Sequence, residues 1–165
     1  MPTILGVDPG LYGAIAQYDT VRGRLDVFDM PTQRGRHDRD VIDEAELLAL
    51  MTAAKDCGVS VAFIEEVGGI PGQSAPAAFN FGCGYGLLRM AARAAGIALE
   101  PVPPRSWKAA MRVPADKRAA VARASELIPT HTALWSGGNR KRNEGRAEAA
   151  LIALYGERVL KGEKR

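Results

Sequence analysis

Histidine and cysteine, whose side chains bind most protein zinc, are scarce in this chain of 165 residues, which has two of each. His37 and His131 have no metal-ligand spacing, and Cys57 and Cys83 lie far apart, so we expect neither a zinc site nor a disulfide bridge. Two separated cysteines fit a reducing compartment, and we expect both to pack as small hydrophobic side chains.

Long apolar runs are also absent from the sequence. No stretch approaches the roughly 20 residues of a membrane span, and the start lacks the basic and apolar segments of a signal peptide. We therefore expect no membrane partner and a cytoplasmic location. With no internal repeat and no long linker, residues 1–165 are predicted to form one domain, in which 158–165 is a frayed, charged tail.

The net charge of +3 conceals an uneven distribution of charge along the chain. Residues 1–99 carry 8 basic and 12 acidic side chains, whereas residues 100–165 carry 14 basic and 7 acidic ones. A basic C-terminal part would attract phosphate groups. A solvated basic surface would give the same pattern, so charge alone does not identify a nucleic-acid-binding protein.

Two predicted strands end in acidic residues. The apolar run at 4–7 predicts a strand that delivers Asp8 to a Pro-Gly turn. The run at 59–64 predicts a buried strand, parallel to the first, that ends at Glu65 and Glu66. Side chains alternate along a strand, so only one of these glutamates can share a site with Asp8. A turn aspartate that bonds only nearby amides is the alternative for Asp8.

A third acidic segment lies on a helix predicted over about 143–158. Glu144 and Glu148 are four residues apart and share one face of that helix. Small and apolar neighbours of Glu148 predict that its turn packs on the sheet, whereas Glu144 would also suit a solvated stripe paired with Arg142 and Arg146. Carboxylates from three elements are what a site for two divalent cations requires, and oxygen ligands favour Mg²⁺ or Mn²⁺.

The chain resembles the RuvC-like Holliday junction resolvases of the RNase H-like superfamily, particularly their phage-type branch. Five segments carry the resemblance in the family's order: 4–13, 64–67, 71–73 with 81–86, 104–117 and 144–155. A meander of strands followed by alternating helices and strands already predicts an α/β fold with a mixed sheet. The resemblance implies the five-stranded RNase H-like sheet flanked by helices, and a nuclease with two Mg²⁺ or Mn²⁺ ions that resolves four-way junctions and other branched DNA.

The same resemblance implies which residues would be catalytic. The family's acids fall on Asp8, Glu65 and Glu148. Bacterial members carry one more ligand three residues before the last acid, where this chain has Gly145, so Glu144 is the predicted substitute. The predicted metal ligands are therefore Asp8, Glu65, Glu144 and Glu148.

Contacts with DNA are predicted from basic and aromatic residues. The family's functional lysines fall on Lys108 and Lys117, and Lys117 would neutralise charge that builds on the scissile phosphate. Trp107 and Met111 are expected to pin a helix to the core, which leaves its basic side chains for phosphate. The predicted DNA-binding residues are Gln73, Phe79, Arg105, Lys108, Arg112, Lys117, Arg118 and, in a mobile basic loop, Arg140, Lys141 and Arg142.

A homodimer is also implied, because resolvases of this kind cut two symmetric strands. Glycines at 82, 84 and 86 indicate close packing against the sheet or a second subunit, so the helix around 82–92 is the predicted interface.

Other functions stay open at this point. A nuclease of the same fold would cut flaps, replication forks or RNA–DNA hybrids, and Gly145 would also suit a junction-binding protein whose metal site has decayed. Sugar kinases and actin-like ATPases have a similar turn after strand one, but they need a second phosphate loop, for which this chain has no room.

Overall fold

A central five-stranded sheet organises the computed structural model, which describes residues 2–69, 72–116 and 119–163. The strands are β1 (Thr3–Asp8), β2 (Ala14–Asp19), β3 (Arg24–Asp29), β4 (Thr32–Arg34), β5 (Asp40–Ile42), β6 (Val59–Glu65) and β7 (Ala98–Val102). The central sheet has the order β3-β2-β1-β6-β7, and β4 and β5 form a separate hairpin. The predicted α/β fold with a mixed five-stranded sheet is confirmed.

Helices cover both faces of this sheet. They are α1 (Glu44–Asp56), α2 (Ala75–Ala94), α3 (Pro104–Ala110), α4 (Ala119–Leu127) and α5 (Arg140–Leu160), with short 3₁₀ helices at Arg36–Asp38 and Pro129–Trp135. Alternate residues of β1 point to opposite faces, as strand geometry requires. Leu5 and Val7 join the core beneath α1 and α2, whereas Ile4 joins the core beneath α5.

The pairing of the strands determines where the acidic ends lie. β1 is antiparallel to β2 and parallel to β6, as the sequence predicts, and β3 is an edge strand. Parallel strands present their C-terminal ends at the same edge of a sheet, so Asp8 and Glu65 end neighbouring strands side by side.

Helix α5 packs directly against β1 because Gly6 has no side chain. A Cβ atom at this position would overlap the carbonyl oxygen of Ala149 and the backbone nitrogen of Ala153. Burial of the apolar side chains between α5 and the sheet contributes to the hydrophobic stabilisation that dominates folding. The close approach also brings the acidic face of α5 to the edge where β1 ends.

Several predicted boundaries are wrong at the two ends of α5. The expected mobile loop at 140–142 is the first turn of this helix, which begins there because the Asn139 side chain accepts a hydrogen bond from the Lys141 backbone amide. The helix continues to Leu160, so the frayed tail does not begin at 158. The Arg158 guanidinium donates a hydrogen bond to the Ala110 carbonyl, which holds this last turn on the protein.

The region before α1 also differs from the prediction. The apolar spacing over 41–56 predicts a first helix that begins near 41, but the helix begins at Glu44, because Asp43 caps it by accepting a hydrogen bond from the Glu46 amide. The β4–β5 hairpin precedes it and was not predicted. Both cysteines are exposed, so the prediction that they pack as small hydrophobic side chains is wrong. Within the described ranges, no helix is long and apolar enough to cross a bilayer.

Gly6→Ala tests the close packing of α5 on β1. The new methyl group meets backbone atoms that cannot rotate away, so we expect a loss of more than about 3 kcal/mol in the free energy of unfolding. Gly68→Ala is the matched control, because a Cβ there meets nothing within 4 Å. Urea denaturation measures both, and a Gly6→Ala chain as stable as the Gly68→Ala chain would contradict this packing.

Candidate active site

Three carboxylates, called here the acid cluster, meet at one edge of the sheet: Asp8 ends β1, Glu65 ends β6, and Glu148 projects from α5. Their charges repel one another. Burial raises the pKa of Asp8 from 3.8 to about 8, and the charges of Glu148 and then Glu65 add to this rise. A hydrogen bond from the Gly10 backbone and the charge of Lys108 oppose it only in part. Asp8 thus accepts a nearby backbone amide, as a turn aspartate would, and also faces two other acids.

Glu65 is held by a residue that sequence reasoning placed only in the core. The indole nitrogen of Trp107 donates a hydrogen bond of 2.6 Å to Oε2 of Glu65. Burial raises the pKa of Glu65, and this hydrogen bond and the Lys108 charge oppose the rise. Glu66 instead acts electrostatically on Tyr85 of α2, which agrees with the predicted strand register.

Lys108, whose side chain is 39% exposed, lies against the acid cluster. Its Nζ atom is 3.1 Å from Oε1 of Glu148 and 5.0 Å from the centre of the Trp107 ring. Trp107 and Met111 are fully buried, as predicted, and anchor α3 beneath these contacts. Trp107 and Lys108, which are consecutive in α3, thus contact one acid of β6 and one acid of α5.

Glu144 lies one turn before Glu148 and lines the same cavity of about 240 Å³, together with Lys108. Its Oε1 atom is buried without a hydrogen-bond partner, and the Arg140 guanidinium lies 3.8 Å from it. A carboxylate oxygen in this state is poorly satisfied, and a cation is the natural partner for it.

Gly145 is a position where no side chain fits. A Cβ atom there would overlap the carbonyl oxygen of Tyr12 and lie 3.1 Å from Oδ2 of Asp8. A metal ligand at this position would require the β1–β2 turn to move away from α5. This packing explains why the position holds glycine and leaves Glu144 as the additional acid.

The acid cluster and Glu144 together match divalent cations in the chemistry of their donors. Several carboxylates, one of them with a strongly raised pKa and one with an orphaned oxygen, would be stabilised by added positive charge. Over the described part of the chain, however, no three acidic, histidine or cysteine side chains are grouped closely enough to ligate one ion. Lys108 contacts one oxygen of Glu148 and Trp107 contacts one oxygen of Glu65, so the second oxygen of each carboxylate has no contact with these two residues in the structure.

The first turn of α5 carries three basic residues beside the acid cluster. Lys141 lies over the ring of Tyr12, with Nζ 4.9 Å from its centre, and the Arg142 guanidinium lies 5.9 Å from it.

Arg146 binds both carboxylate oxygens of Asp29 at 2.6 and 2.7 Å, and this contact keeps the pKa of Asp29 low. Sequence reasoning missed Asp29, which fixes α5 to the end of β3.

A groove of about 1140 Å³ runs beside the acid cluster between the β4–β5 hairpin and α2. Gln73 and Phe79, two of the predicted DNA contacts, line it, and Phe79 is 70% exposed. Tyr12, which follows Asp8 in the turn after β1, also lines the groove. Nothing in the sequence pattern indicated this hairpin, whose strands have three residues each.

The other predicted DNA contacts are distributed around α3 and α5. Arg105 on α3 and Arg112 just after it are exposed, as is Arg140 at the start of α5. Lys117 and Arg118 lie outside the described residues, so their predicted roles stay predictions.

Comparisons with known proteins support the fold. Neither the protein-family models nor the curated sequences match this chain. Thermus thermophilus RuvC in complex with a Holliday junction substrate is similar in structure, with a TM-score of 0.64, 16% identity and 96% of each chain covered. A second Thermus thermophilus RuvC structure has a TM-score of 0.58 and 16% identity over 95% of this chain and 96% of that one. The yeast mitochondrial Holliday junction resolvase Ydc2 is similar with a TM-score of 0.52 and 17% identity, and the match covers 91% of this chain and 75% of that one. At these identities the similarity shows that this chain has the RuvC-type RNase H-like fold.

The raised pKa of Asp8 predicts how the stability of the cation-free protein depends on pH. The folded pKa of about 8 exceeds the ordinary 3.8, so the stability due to neutral Asp8 is complete below about pH 4 and is lost as the pH rises to about 8. Asp8→Asn removes this loss. At pH 9 in EDTA we expect it to raise the melting temperature by more than about 2 °C.

Glu66→Gln is the matched control, because it removes an acid at the same edge but outside the cluster. Differential scanning calorimetry from pH 5 to pH 9 measures all three chains. Equal pH dependence of melting in the Asp8→Asn and unsubstituted chains would show that folding does not raise the pKa of Asp8.

Proposed function

We propose that this protein is a metal-dependent endonuclease that resolves branched DNA such as four-way junctions. The observation that carries the proposal is the meeting of acids from β1, β6 and α5 at one sheet edge, in a fold shared with two known resolvases. The similarity alone would leave the activity open, because RNase H-like folds carry several functions. The acid cluster is the part of the chain that supports hydrolysis of a phosphodiester.

Asp8, Glu65, Glu144 and Glu148 would hold two Mg²⁺ or Mn²⁺ ions. The chemistry that two bound ions would supply there is activation of a water molecule and stabilisation of the charge on the departing oxygen. Lys108, once released from Glu148, would be free to contact a phosphate at the same edge. Lys117 would neutralise the negative charge that builds on the scissile phosphate, as cations do in phosphoryl transfer. Partial burial of the cluster against α3 and α5 lowers the local dielectric constant and would strengthen each of these interactions.

Branched DNA would approach across the acid cluster from the groove and from α5. The exposed ring of Phe79 suits stacking on an unpaired base, a contact worth about 1–3 kcal/mol. The basic first turn of α5, with Arg140, Lys141 and Arg142, and the exposed Arg105 and Arg112 suit backbone phosphates rather than base edges. These positions support recognition of DNA shape more than of DNA sequence.

A homodimer through α2 would place two such sites on one junction. Gly82 and Gly86 lie on a side of α2 where an added Cβ atom meets nothing within 4 Å, and Met90 on the same side is 63% exposed. Residues at these spacings share one helix face, which would allow two α2 helices to approach closely. Two symmetric sites suit a substrate with two symmetric strands.

Substitutions in the acid cluster test the proposed chemistry. Asp8→Asn, Glu65→Gln and Glu148→Gln keep the side-chain shape but remove a ligand charge, so each is expected to slow cleavage of a labelled four-way junction by at least about a hundredfold. Junction affinity is expected to hold or rise, since repulsion between acid and phosphate is relieved. Glu66→Gln, whose charge lies outside the cluster, is the control and should cut at nearly the normal rate.

The same assay decides between this proposal and its alternatives. A panel of junction, fork, flap, duplex and RNA–DNA hybrid substrates identifies which one is cut fastest in Mg²⁺. Cleavage that continues in EDTA would overturn the metal-dependent mechanism. Binding of junctions without cleavage in either Mg²⁺ or Mn²⁺ would favour the decayed junction-binding protein.

Met90→Glu tests the proposed dimer. Two buried, like charges would face each other across the α2 interface, so we expect light scattering to give a monomer where the unsubstituted chain gives a dimer. Leu48→Glu, on the exposed face of α1, is the control for added charge. A monomeric unsubstituted chain, both free and junction-bound, would end the dimer proposal.

A further inference from the structure

One short segment of α3 contacts acids from two other elements at once. Trp107 donates its indole N–H to Glu65 of β6, and the next residue, Lys108, pairs with Glu148 of α5. The first contact is a hydrogen bond of 2.6 Å to a carboxylate, which is at the short, strong end of such bonds. Packing against the core requires a buried aromatic ring here but does not require a nitrogen aimed at an acid.

We propose that Trp107 is a positioning residue for cation binding: its indole N–H fixes Oε2 of Glu65 and so sets the direction in which Oε1 faces the cluster. This inference rests on the proposed function, because it concerns the same acids. It adds a residue that is not itself a ligand. Loss of a group that hydrogen-bonds to a metal ligand, without contacting the metal itself, typically lowers metal affinity about 10–100-fold.

The surroundings of Trp107 support positioning rather than a chance contact. The indole is fully buried and its helix is anchored by Met111, so the nitrogen has little freedom to leave Glu65. Glu65 ends a strand and would otherwise be free to rotate about its side-chain bonds. A rigid donor reduces the conformational entropy that the carboxylate loses when it binds an ion.

The chain offers a closely matched control in its second tryptophan. Trp135 is also buried, and its indole N–H also donates one hydrogen bond, in this case 2.9 Å long to the Ser125 hydroxyl. Trp107→Phe and Trp135→Phe therefore remove the same atoms from equally buried rings. Only the first removes a donor from the acid cluster.

Mn²⁺ affinity, measured by electron paramagnetic resonance without DNA, separates the two variants. We expect Trp107→Phe to weaken Mn²⁺ binding at least about tenfold and Trp135→Phe to leave it within about twofold of the unsubstituted chain. In a Glu65→Gln background the Trp107→Phe effect should disappear, because the positioned ligand is already lost. In the cleavage assay, the fold increase that Trp107→Phe causes in the Mg²⁺ concentration for half-maximal rate should exceed the fold decrease in the rate at saturating Mg²⁺.

Fluorescence gives a second reading that does not depend on how well Trp107→Phe folds. The chain has two tryptophans, so Trp135→Phe leaves Trp107 as the single emitter. Bound Mn²⁺ is paramagnetic and quenches nearby indoles, so we expect Mn²⁺ to quench the emission of the Trp135→Phe chain saturably.

The outcomes distinguish this inference from the proposed function. If the unsubstituted chain binds Mn²⁺ while the Trp107→Phe chain binds it equally well, or while Trp107 is not quenched, the positioning role is wrong and the nuclease proposal stands. If the unsubstituted chain binds no Mn²⁺, the metal-dependent function fails and the inference fails with it.

Discussion

Burial and repulsion of the carboxylates of the acid cluster are the constraint around which this molecule is arranged. Bringing Asp8, Glu65 and Glu148 together at the partly buried end of a sheet costs free energy, because burial opposes the ionisation of Asp8 and Glu65 and the nearby charge of Glu148 opposes it further. The raised pKa of Asp8 expresses that cost directly. A protein selected only for stability would place apolar or paired side chains there, so the cluster indicates a site that receives positive charge. In the cation-free chain, Lys108 supplies part of this charge through Glu148.

The scaffold maintains this costly arrangement by rigid, close packing. The parallel pairing of β1 with β6 places two acids on neighbouring strand ends, and α5 comes near enough to add a third because Gly6 and Gly145 leave no side chain between helix and sheet. The same closeness explains why position 145 holds glycine. A ligand at 145 has no space, whereas Glu144 at the preceding position reaches the cavity beside Glu148.

Local sequence patterns predicted the sheet and the acids but not the contacts between distant residues. Apolar runs and alternation identified the strands, their parallel pairing and the different surroundings of Glu65 and Glu66. The hydrogen bond from Trp107 joins residues 42 apart in the chain, so no local pattern could indicate it. The start of α5 was missed because three cations at a helix N-terminus oppose the helix dipole; contacts with Tyr12 and Asp29 stabilise them there. The β4–β5 strands are too short for alternation to be recognised.

Proton release on cation binding tests the central claim most directly. A cation that enters the acid cluster must displace the proton that repulsion and burial keep on Asp8, because a metal ligand is deprotonated. Calorimetric titration with Mg²⁺ at pH 7, in two buffers of different ionisation enthalpy, counts that proton. With a pKa of about 8 for Asp8, the account predicts release of roughly one proton at pH 7 and much less at pH 9. Binding of Mg²⁺ with no proton release at pH 7, or with the same release from Asp8→Asn, would contradict it.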